Sequence, residues 1–135
     1  MAENAQTKLE DLYVDEEVMN EKLLTSTLAP YIRIGKQSGD LVLQSSFDDL
    51  TTKQKIVVVL LAQKGRCGLE VAENEWLTPT EIANVSSIKK GTVYPTIREL
   101  ENDERLADSE DGQYRIPTHN LETAREFIEG SAPDE

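Results

Sequence analysis

The residues best suited to chemistry are the cations between positions 89 and 98. Lys89 and Lys90 directly precede Gly91 and Thr92, and Arg98 follows two turns later if this stretch is helical. Lysine ammonium groups hold phosphates as point charges, whereas a guanidinium presents a planar fork of donors that matches a phosphate or a guanine edge. A helix beginning at Thr92 would add free amides and the positive end of its dipole. This pattern predicts a phosphate-binding element suited to DNA.

The sequence lacks the sets of residues that catalysis or metal binding requires. The sequence has one cysteine, Cys67, and one histidine, His119, with no cluster of carboxylates near it in the chain. A metal site needs three or four ligands, and a reactive cysteine needs a neighbouring base or cation. Neither of the glycine-rich phosphate-loop patterns, GxxxxGK[ST] and GxGxxG, occurs. We therefore expect no enzymatic activity, no metal and no cofactor.

The elements that must position the cations begin with a short helix over residues 78–85. Thr78 and Glu81 have the spacing of a capping box, and Pro79 occupies the first helical position. Residues 86–91 then form a predicted tight turn. A short helix, a sharp turn and a second helix make up a helix-turn-helix.

The second helix is predicted over residues 92–103. We expect Thr92 to cap it and Pro95 to fall in its first turn, where backbone donors are free in any case. Helical spacing then directs one set of side chains inward and another outward. The inward set is Val93, Ile97 and Leu100, and the outward candidates for DNA contacts are Thr92, Tyr94, Thr96 and Arg98.

A β-hairpin over residues 106–116 completes the motif. Asp111 and Gly112 favour a tight turn between two short strands. On the second strand, Gln113 and Arg115 are further candidates for contacts to DNA. The hairpin is therefore predicted to act as a wing beside the second helix.

A buried helix is predicted at the centre of the fold. Thr51 and Gln54 form a second capping box, and the helix is expected to end near Lys64. Its residues 56–61 are all apolar, which leaves no solvent-facing side.

Three further elements lie outside the minimal motif. Helical spacing of apolar residues predicts helices over 15–28 and 120–129, and alternation predicts a β-hairpin over 31–44. The two helices could pair with their copies in a homodimer, or they could simply cover the central helix. The role of the 31–44 hairpin does not follow from the sequence.

A resemblance to a known family rests on the stretch Gly91-Thr-Val-Tyr-Pro-Thr-Ile-Arg-Glu-Leu100. It resembles the recognition helix of PadR-like winged-helix regulators, in which a Gly-Thr-apolar-Tyr-Pro pattern recurs. The resemblance, over residues 52–116, implies a DNA-binding regulator whose second helix enters the major groove by its N-terminal end. It implies that Lys89 and Lys90 contact phosphates and that Arg98 contacts bases.

The charge of the chain opposes this expectation. The 14 basic and 26 acidic residues leave a net charge of −12, and such a chain repels nucleic acid at ordinary ionic strength. Either the partner is a protein, or a salty cell interior screens the repulsion, since roughly 1 M salt shortens the screening length to about 3 Å. The acidic composition resembles that of proteins from salt-accumulating, halophilic archaea. Acids also crowd the end of the predicted recognition helix, at Glu99, Glu101, Asp103 and Glu104.

We therefore predict an α+β fold, a winged helix-turn-helix with an N-terminal helix and β-hairpin and a C-terminal helix. The expected organisation is an acidic arm and helix (1–30), the winged-helix domain with its preceding hairpin (31–129) and a disordered tail (130–135). The predicted function is a DNA-binding transcriptional regulator using the 92–103 helix and the 106–116 wing. The alternative is an acidic winged-helix module that binds another protein and no nucleic acid. Because no membrane span or signal peptide is evident, we expect a cytoplasmic protein.

Overall fold

The computed structural model describes residues 8–130. Residues 1–7 and 131–135 lie outside the described part. The first seven residues of the predicted 1–30 segment and all but the first residue of the predicted 130–135 tail therefore lie outside it as well.

The described chain has an α+β fold of five α-helices and two separate two-stranded antiparallel sheets. Short 3-10 helices occupy Leu9–Leu12, Ser45–Asp49 and Thr118–Asn120. In chain order the helices and strands are α1 (Glu16–Leu28), β1 (Ile32–Ile34), β2 (Leu41–Leu43), α2 (Thr52–Gly68), α3 (Pro79–Ser86), α4 (Lys90–Asn102), β3 (Asp108–Glu110), β4 (Gln113–Arg115) and α5 (Leu121–Ile128).

Helix α2 is the centre of the core, and α1, α3, α4 and α5 all pack against it. Residues 56–63 are buried in succession, as the unbroken apolar run predicts. The Thr51–Gln54 capping box is present, and the Gln54 amide also donates to the carbonyls of Phe127 (3.1 Å) and Ile128 (3.2 Å). The start of α2 is thereby joined to the end of α5.

The predicted end of α2 near Lys64 is wrong by one turn, because the helix continues through Gly68. Gly65 and Gly68 both keep helical backbone angles, so neither glycine breaks the helix. The chain first enters the left-handed region at Glu70, with φ 63°, and that reversal follows the helix end.

The helices outside the predicted motif use their apolar sides within the chain. Leu23, Leu24 and Leu28 of α1 pack against the core. The apolar side of α5 is also buried, at Leu121, Ala124 and Ile128. These side chains therefore cover α2 within the single chain.

The two hairpins have the predicted turns. Strands β1 and β2 pair in register, with Ile32 opposite Leu43. Between β3 and β4, Asp111 and Gly112 both have positive φ, at 53° and 79°, as a tight I′ turn requires. Leu77 also exchanges backbone hydrogen bonds with Tyr114 of β4, at 2.9 and 2.7 Å. No helix within residues 8–130 combines the length and apolar character that crossing a bilayer requires.

Candidate nucleic-acid interface

The sharp connection between α3 and α4 sets the position of the predicted site. The Thr78–Glu81 capping box begins α3, and Pro79 is its first residue, as predicted. Ser87 ends α3 in the left-handed region, with φ 65°. The carbonyl of Lys89 then accepts from the amides of Thr92 (2.9 Å) and Val93 (3.0 Å). The second helix therefore begins directly after the turn.

This start corrects the expectation that Thr92 caps the second helix. The N-cap is Lys89, whose side chain makes no capping hydrogen bond, and Lys90 is the first helical residue. Pro95 is consequently the sixth residue of α4 and does not lie in its first turn. Because proline has no amide hydrogen, the carbonyl of Gly91 loses its usual partner four residues on.

The inward face of α4 consists of Val93, Ile97 and Leu100, all fully buried as predicted. Packing of these three side chains turns the opposite face to solvent. Lys90, Tyr94 and Arg98 follow one another at four-residue spacing, and each is exposed. The exposed fraction of Tyr94 is 41%, so part of its side chain faces solvent. We call Lys89, Lys90, Tyr94 and Arg98 the α4 stripe.

None of the three cations in the α4 stripe makes an ion pair with a residue in the described range 8–130. The sequence allowed Arg98 to pair with Glu101 along the helix. Glu101 instead accepts a hydrogen bond from the Ser109 hydroxyl of β3. The positive charge of Arg98 therefore remains available to a ligand.

The acids near the end of α4 are mostly engaged elsewhere. Lys53, in the first turn of α2, forms ion pairs with Glu99 (3.1 Å) and Glu104 (3.0 Å). The hydrogen bond that Lys53 donates to Glu104 is the main cause that raises the pKa of Lys53, and Glu99 adds to it. Asp103, the C-cap residue, remains exposed. Lys53 thus neutralises part of the negative charge near the end of α4 that would otherwise repel DNA.

The N-terminus of α4 adds backbone donors beside the lysines. Within the described residues, the amides of Lys90 and Gly91 have no hydrogen-bond partner. A Cβ at Gly91 would meet no atom within 4 Å, so the surface there is open. Unpaired amides at a helix start are suited to an anionic oxygen.

The two threonines among the predicted site residues lie on the flank of α4. Thr92 is exposed, and Thr96 is partly buried. The Thr96 hydroxyl donates to the Thr92 carbonyl at 2.7 Å, so its hydrogen is already used within the helix. Contacts from either residue to DNA stay predictions.

The two predicted site residues on the β3–β4 hairpin have different surroundings from the α4 stripe. The Arg115 guanidinium lies 4.6 Å from the centre of the Trp76 ring and pairs with Glu75 (3.5 Å) and Asp108 (3.8 Å). Gln113 is partly buried opposite Glu110. Arg115 is therefore held in a structural cluster, and its role toward DNA stays a prediction.

Sequence reasoning missed Lys53 and Trp76, which determine what the site residues can reach. Lys53 lies 46 positions before Glu99, and no local spacing links the two. Trp76 is the only tryptophan, in a segment where no regular element was predicted.

No protein-family model, curated protein or solved structure matches the chain. Within residues 8–130, no group of three or more histidine, cysteine or acidic side chains is placed to hold a metal ion.

Proposed function

We propose that this chain is a winged helix-turn-helix protein that binds DNA through the start of α4 and regulates transcription. The observation that carries the proposal is the α4 stripe, whose cations are exposed and free of ion pairs within the described residues. The order α3, tight turn, α4 and β3–β4 hairpin supports it, because this is the order of a winged helix-turn-helix. The resemblance of residues 91–100 to a PadR-like recognition helix supports it as well.

Each residue of the stripe has a distinct role in this proposal. Lys89 and Lys90 hold phosphates beside the open amides of Lys90 and Gly91, which fixes the helix end on the backbone. Arg98 lies further along the exposed face and reads a guanine edge in the major groove. Tyr94 lies between the cations, where its hydroxyl and ring can contact a phosphate or sugar.

The net charge of −12 determines how such binding depends on salt. Two terms act in opposite directions as the salt concentration rises. Contacts from lysines to phosphates weaken because the release of condensed counterions from DNA gains less entropy in a more concentrated salt solution. The repulsion between the acidic remainder and DNA also weakens, because the screening length falls from about 10 Å at 0.1 M to about 3 Å at 1 M. Binding by this chain should therefore tolerate salt better than binding by a basic protein.

Fluorescence anisotropy with a mixed-sequence DNA duplex, measured across potassium chloride concentrations, tests the phosphate contacts. The variant Lys89→Ala/Lys90→Ala removes two of the proposed contacts. The variant Lys22→Ala/Lys36→Ala is its matched control, because it removes two exposed lysines of equal charge away from α4. The first variant should bind more weakly and flatten the plot of log affinity against log salt by about one unit per lysine relative to the control. Equal effects of the two variants would contradict the proposal.

The second candidate function is a protein-binding module without nucleic-acid binding. The net charge and the exposed apolar residues of the N-terminal segment favour this candidate. It predicts no measurable affinity for duplex DNA at any salt concentration. The same titration therefore separates the two functions.

A further inference from the structure

Exposed apolar side chains are concentrated near the start of the described chain. Ten large apolar side chains are exposed within residues 8–130, and one of them, Tyr94, belongs to the α4 stripe. Three more lie on β2 and after the end of α2, at Val42, Leu69 and Val71. The other six fall within residues 9–19, which we call the arm: Leu9, Leu12, Tyr13, Val14, Val18 and Met19.

The arm packs against almost nothing in the single chain. Leu9 is 86% exposed and Tyr13 is 85% exposed, and the Leu9–Leu12 turn has no buried residue. Single exposed apolar residues are ordinary on protein surfaces, whereas a contiguous patch marks a surface that meets another molecule. The arm is such a patch.

An open apolar groove lies at the other end of α1. It has a volume of about 730 Å³ and runs between the second half of α1, strand β1 and the last turn of α2. We call it the α1–α2 groove. Its apolar walls come from Leu24, Leu28, Ile32, Ile34 and Leu69.

Two glycines of α2, Gly65 and Gly68, also line the groove. A Cβ at Gly68 would meet no atom within 4 Å, and one at Gly65 would make only ordinary contacts of 3.7 Å with Leu24 and Leu28. Both have helical backbone angles, so no left-handed turn requires glycine there. Glycine inside a helix is less favourable than alanine by about 1 kcal/mol. Folding of the single chain therefore does not explain these glycines, whereas close approach of a second chain does.

The arm carries more negative charge than the groove rim. The arm contains only acidic charges, at Glu10, Asp11, Asp15, Glu16 and Glu17. The groove rim has two cations, Arg33 and Lys64, against one acid, Glu21, but Lys64 is already paired with Glu75. Arg33 is exposed, donates hydrogen bonds to the carbonyls of Ala29 and Ile32, and makes no ion pair in the described range. Arg33 is therefore the rim cation that an acidic arm can meet.

The position of the two surfaces along α1 selects a second copy as the occupant. The 13 residues of α1 span about 20 Å, with the arm at its start and the groove beside its second half. The arm therefore begins at the opposite end of α1 from its own groove. Two copies with antiparallel α1 helices bring each arm beside the partner's groove. Val18 lies on the same side of α1 as Glu21 and Thr25, which line the groove, so the contact can continue along the helix.

We infer that the chain forms a two-fold symmetric homodimer in which each arm lies in the α1–α2 groove of the other copy. Every contact occurs twice in such a dimer, because the interface is isologous. The inference does not depend on DNA binding, since none of its residues belongs to the α4 stripe.

Sedimentation equilibrium of the full chain and of two variants tests the inference. Leu12→Lys/Tyr13→Lys changes the arm, and Leu69→Glu changes the groove. The side chains that they replace are exposed in the single chain, at 71%, 85% and 63%, so folding should be retained and is checked by circular dichroism. Tyr94→Lys and Val42→Glu are the matched controls, because they change exposed apolar residues outside the arm and the groove. Gly68→Leu is a second groove variant, since its side chain projects into open space.

The native chain and both controls should sediment with twice the 15.1 kDa mass of one chain. The arm variant and both groove variants should each weaken dimerisation at least tenfold. An equimolar mixture of the arm variant with Leu69→Glu should recover dimers, because one intact arm then meets one intact groove.

Three results would overturn the inference. The native chain could stay monomeric up to millimolar concentration, which would leave the groove to a different ligand. The arm variant could dimerise as well as the native chain. The mixture could stay monomeric although the native chain dimerises, which would indicate pairing of arm with arm.

Discussion

The ammonium nitrogen of Lys53 lies 3.1 Å from a carboxylate oxygen of Glu99, which joins the first turn of α2 to the last turns of α4. Glu104 completes the cluster at 3.0 Å from the same nitrogen. These pairs hold Glu99 of α4 and Glu104, which follows α4, against α2 and place a positive charge beside them. The α4 stripe consequently has less negative charge near it than the order of residues along the helix indicates.

Removing the Lys53 charge should weaken DNA binding although Lys53 is not proposed to touch DNA. In Lys53→Met, Glu99 and Glu104 lose their partner, and their negative charge repels the phosphate backbone. We expect a severalfold loss of affinity at low salt that shrinks as salt rises, measured by fluorescence anisotropy. Lys22→Ala is the control for net charge. Adding Glu99→Gln and Glu104→Gln to Lys53→Met should restore binding, and failure to restore it would contradict the explanation.

The same cluster predicts a dependence of stability on alkaline pH. The hydrogen bonds that Lys53 donates to Glu104 and Glu99, together with the negative charge of both carboxylates, raise the pKa of Lys53 above its ordinary value of 10.5. A raised folded-state pKa means that the contribution to stability is complete below pH 10.5 and is lost as the pH rises through the folded-state value. The free energy of unfolding of the native chain should therefore fall more steeply above pH 10.5 than that of Lys53→Met. Parallel pH profiles from urea titrations would contradict this assignment.

Replacing Pro95 by alanine should stabilise the protein. Pro95 is the sixth residue of α4 and supplies no amide to the Gly91 carbonyl, so alanine restores one helical hydrogen bond. Proline inside a helix is about 3 kcal/mol less favourable than alanine, and its smaller unfolded-state entropy offsets roughly 1 kcal/mol of that. We expect a gain of about 2 kcal/mol in the free energy of unfolding by urea. A loss of stability would contradict this prediction and show that the packing of α4 requires proline at this position.

The contacts of Arg115 predict a structural role that can be separated from DNA binding. Arg115→Ala removes the ring contact with Trp76 and leaves Glu75 with Lys64 as its remaining partner. A cation–π contact contributes about 0.5–2 kcal/mol, so we expect a loss near 1 kcal/mol in the free energy of unfolding. Arg115→Lys should not restore it fully, because an ammonium lacks the planar face that stacks on the indole. If DNA affinity falls much further than for Lys22→Ala, Arg115 contacts DNA as the sequence predicted.

Local signals predicted much of this fold. The capping boxes at Thr51 and Thr78 and the Asp111–Gly112 turn depend on neighbours within four residues, and all three are present. The sequence predicts that α4 begins at Thr92, because threonine is a favourable capping residue, but the helix begins at Lys90. The left-handed Ser87 that ends α3 has no signature in the sequence. A capping preference is worth only about 1 kcal/mol, which is too little to fix the first residue of a helix.

The surroundings of the candidate site could not be predicted in the same way. Lys53 meets Glu99 and Glu104, and Trp76 meets Arg115, only because the helices and the hairpin pack together. Charge patterns along one helix indicated an acidic end to α4, whereas the fold supplies the cation that offsets it. The sequence predicts each cation of the α4 stripe individually. That these cations make no ion pairs follows only from the packed structure, in which Glu99 and Glu104 contact Lys53 and Glu101 contacts Ser109.

Selection of DNA from a pool of genomic fragments is the measurement on which the proposed function depends most. The native chain and the variant Lys89→Ala/Lys90→Ala/Arg98→Ala would each be incubated with the pool in dilute buffer and in molar potassium chloride, and bound fragments sequenced. DNA binding through the α4 stripe predicts enrichment of a common sequence by the native chain that persists in high salt and disappears in the folded variant. Equal enrichment by the variant, or no enrichment by the folded native chain at any salt concentration, would contradict it.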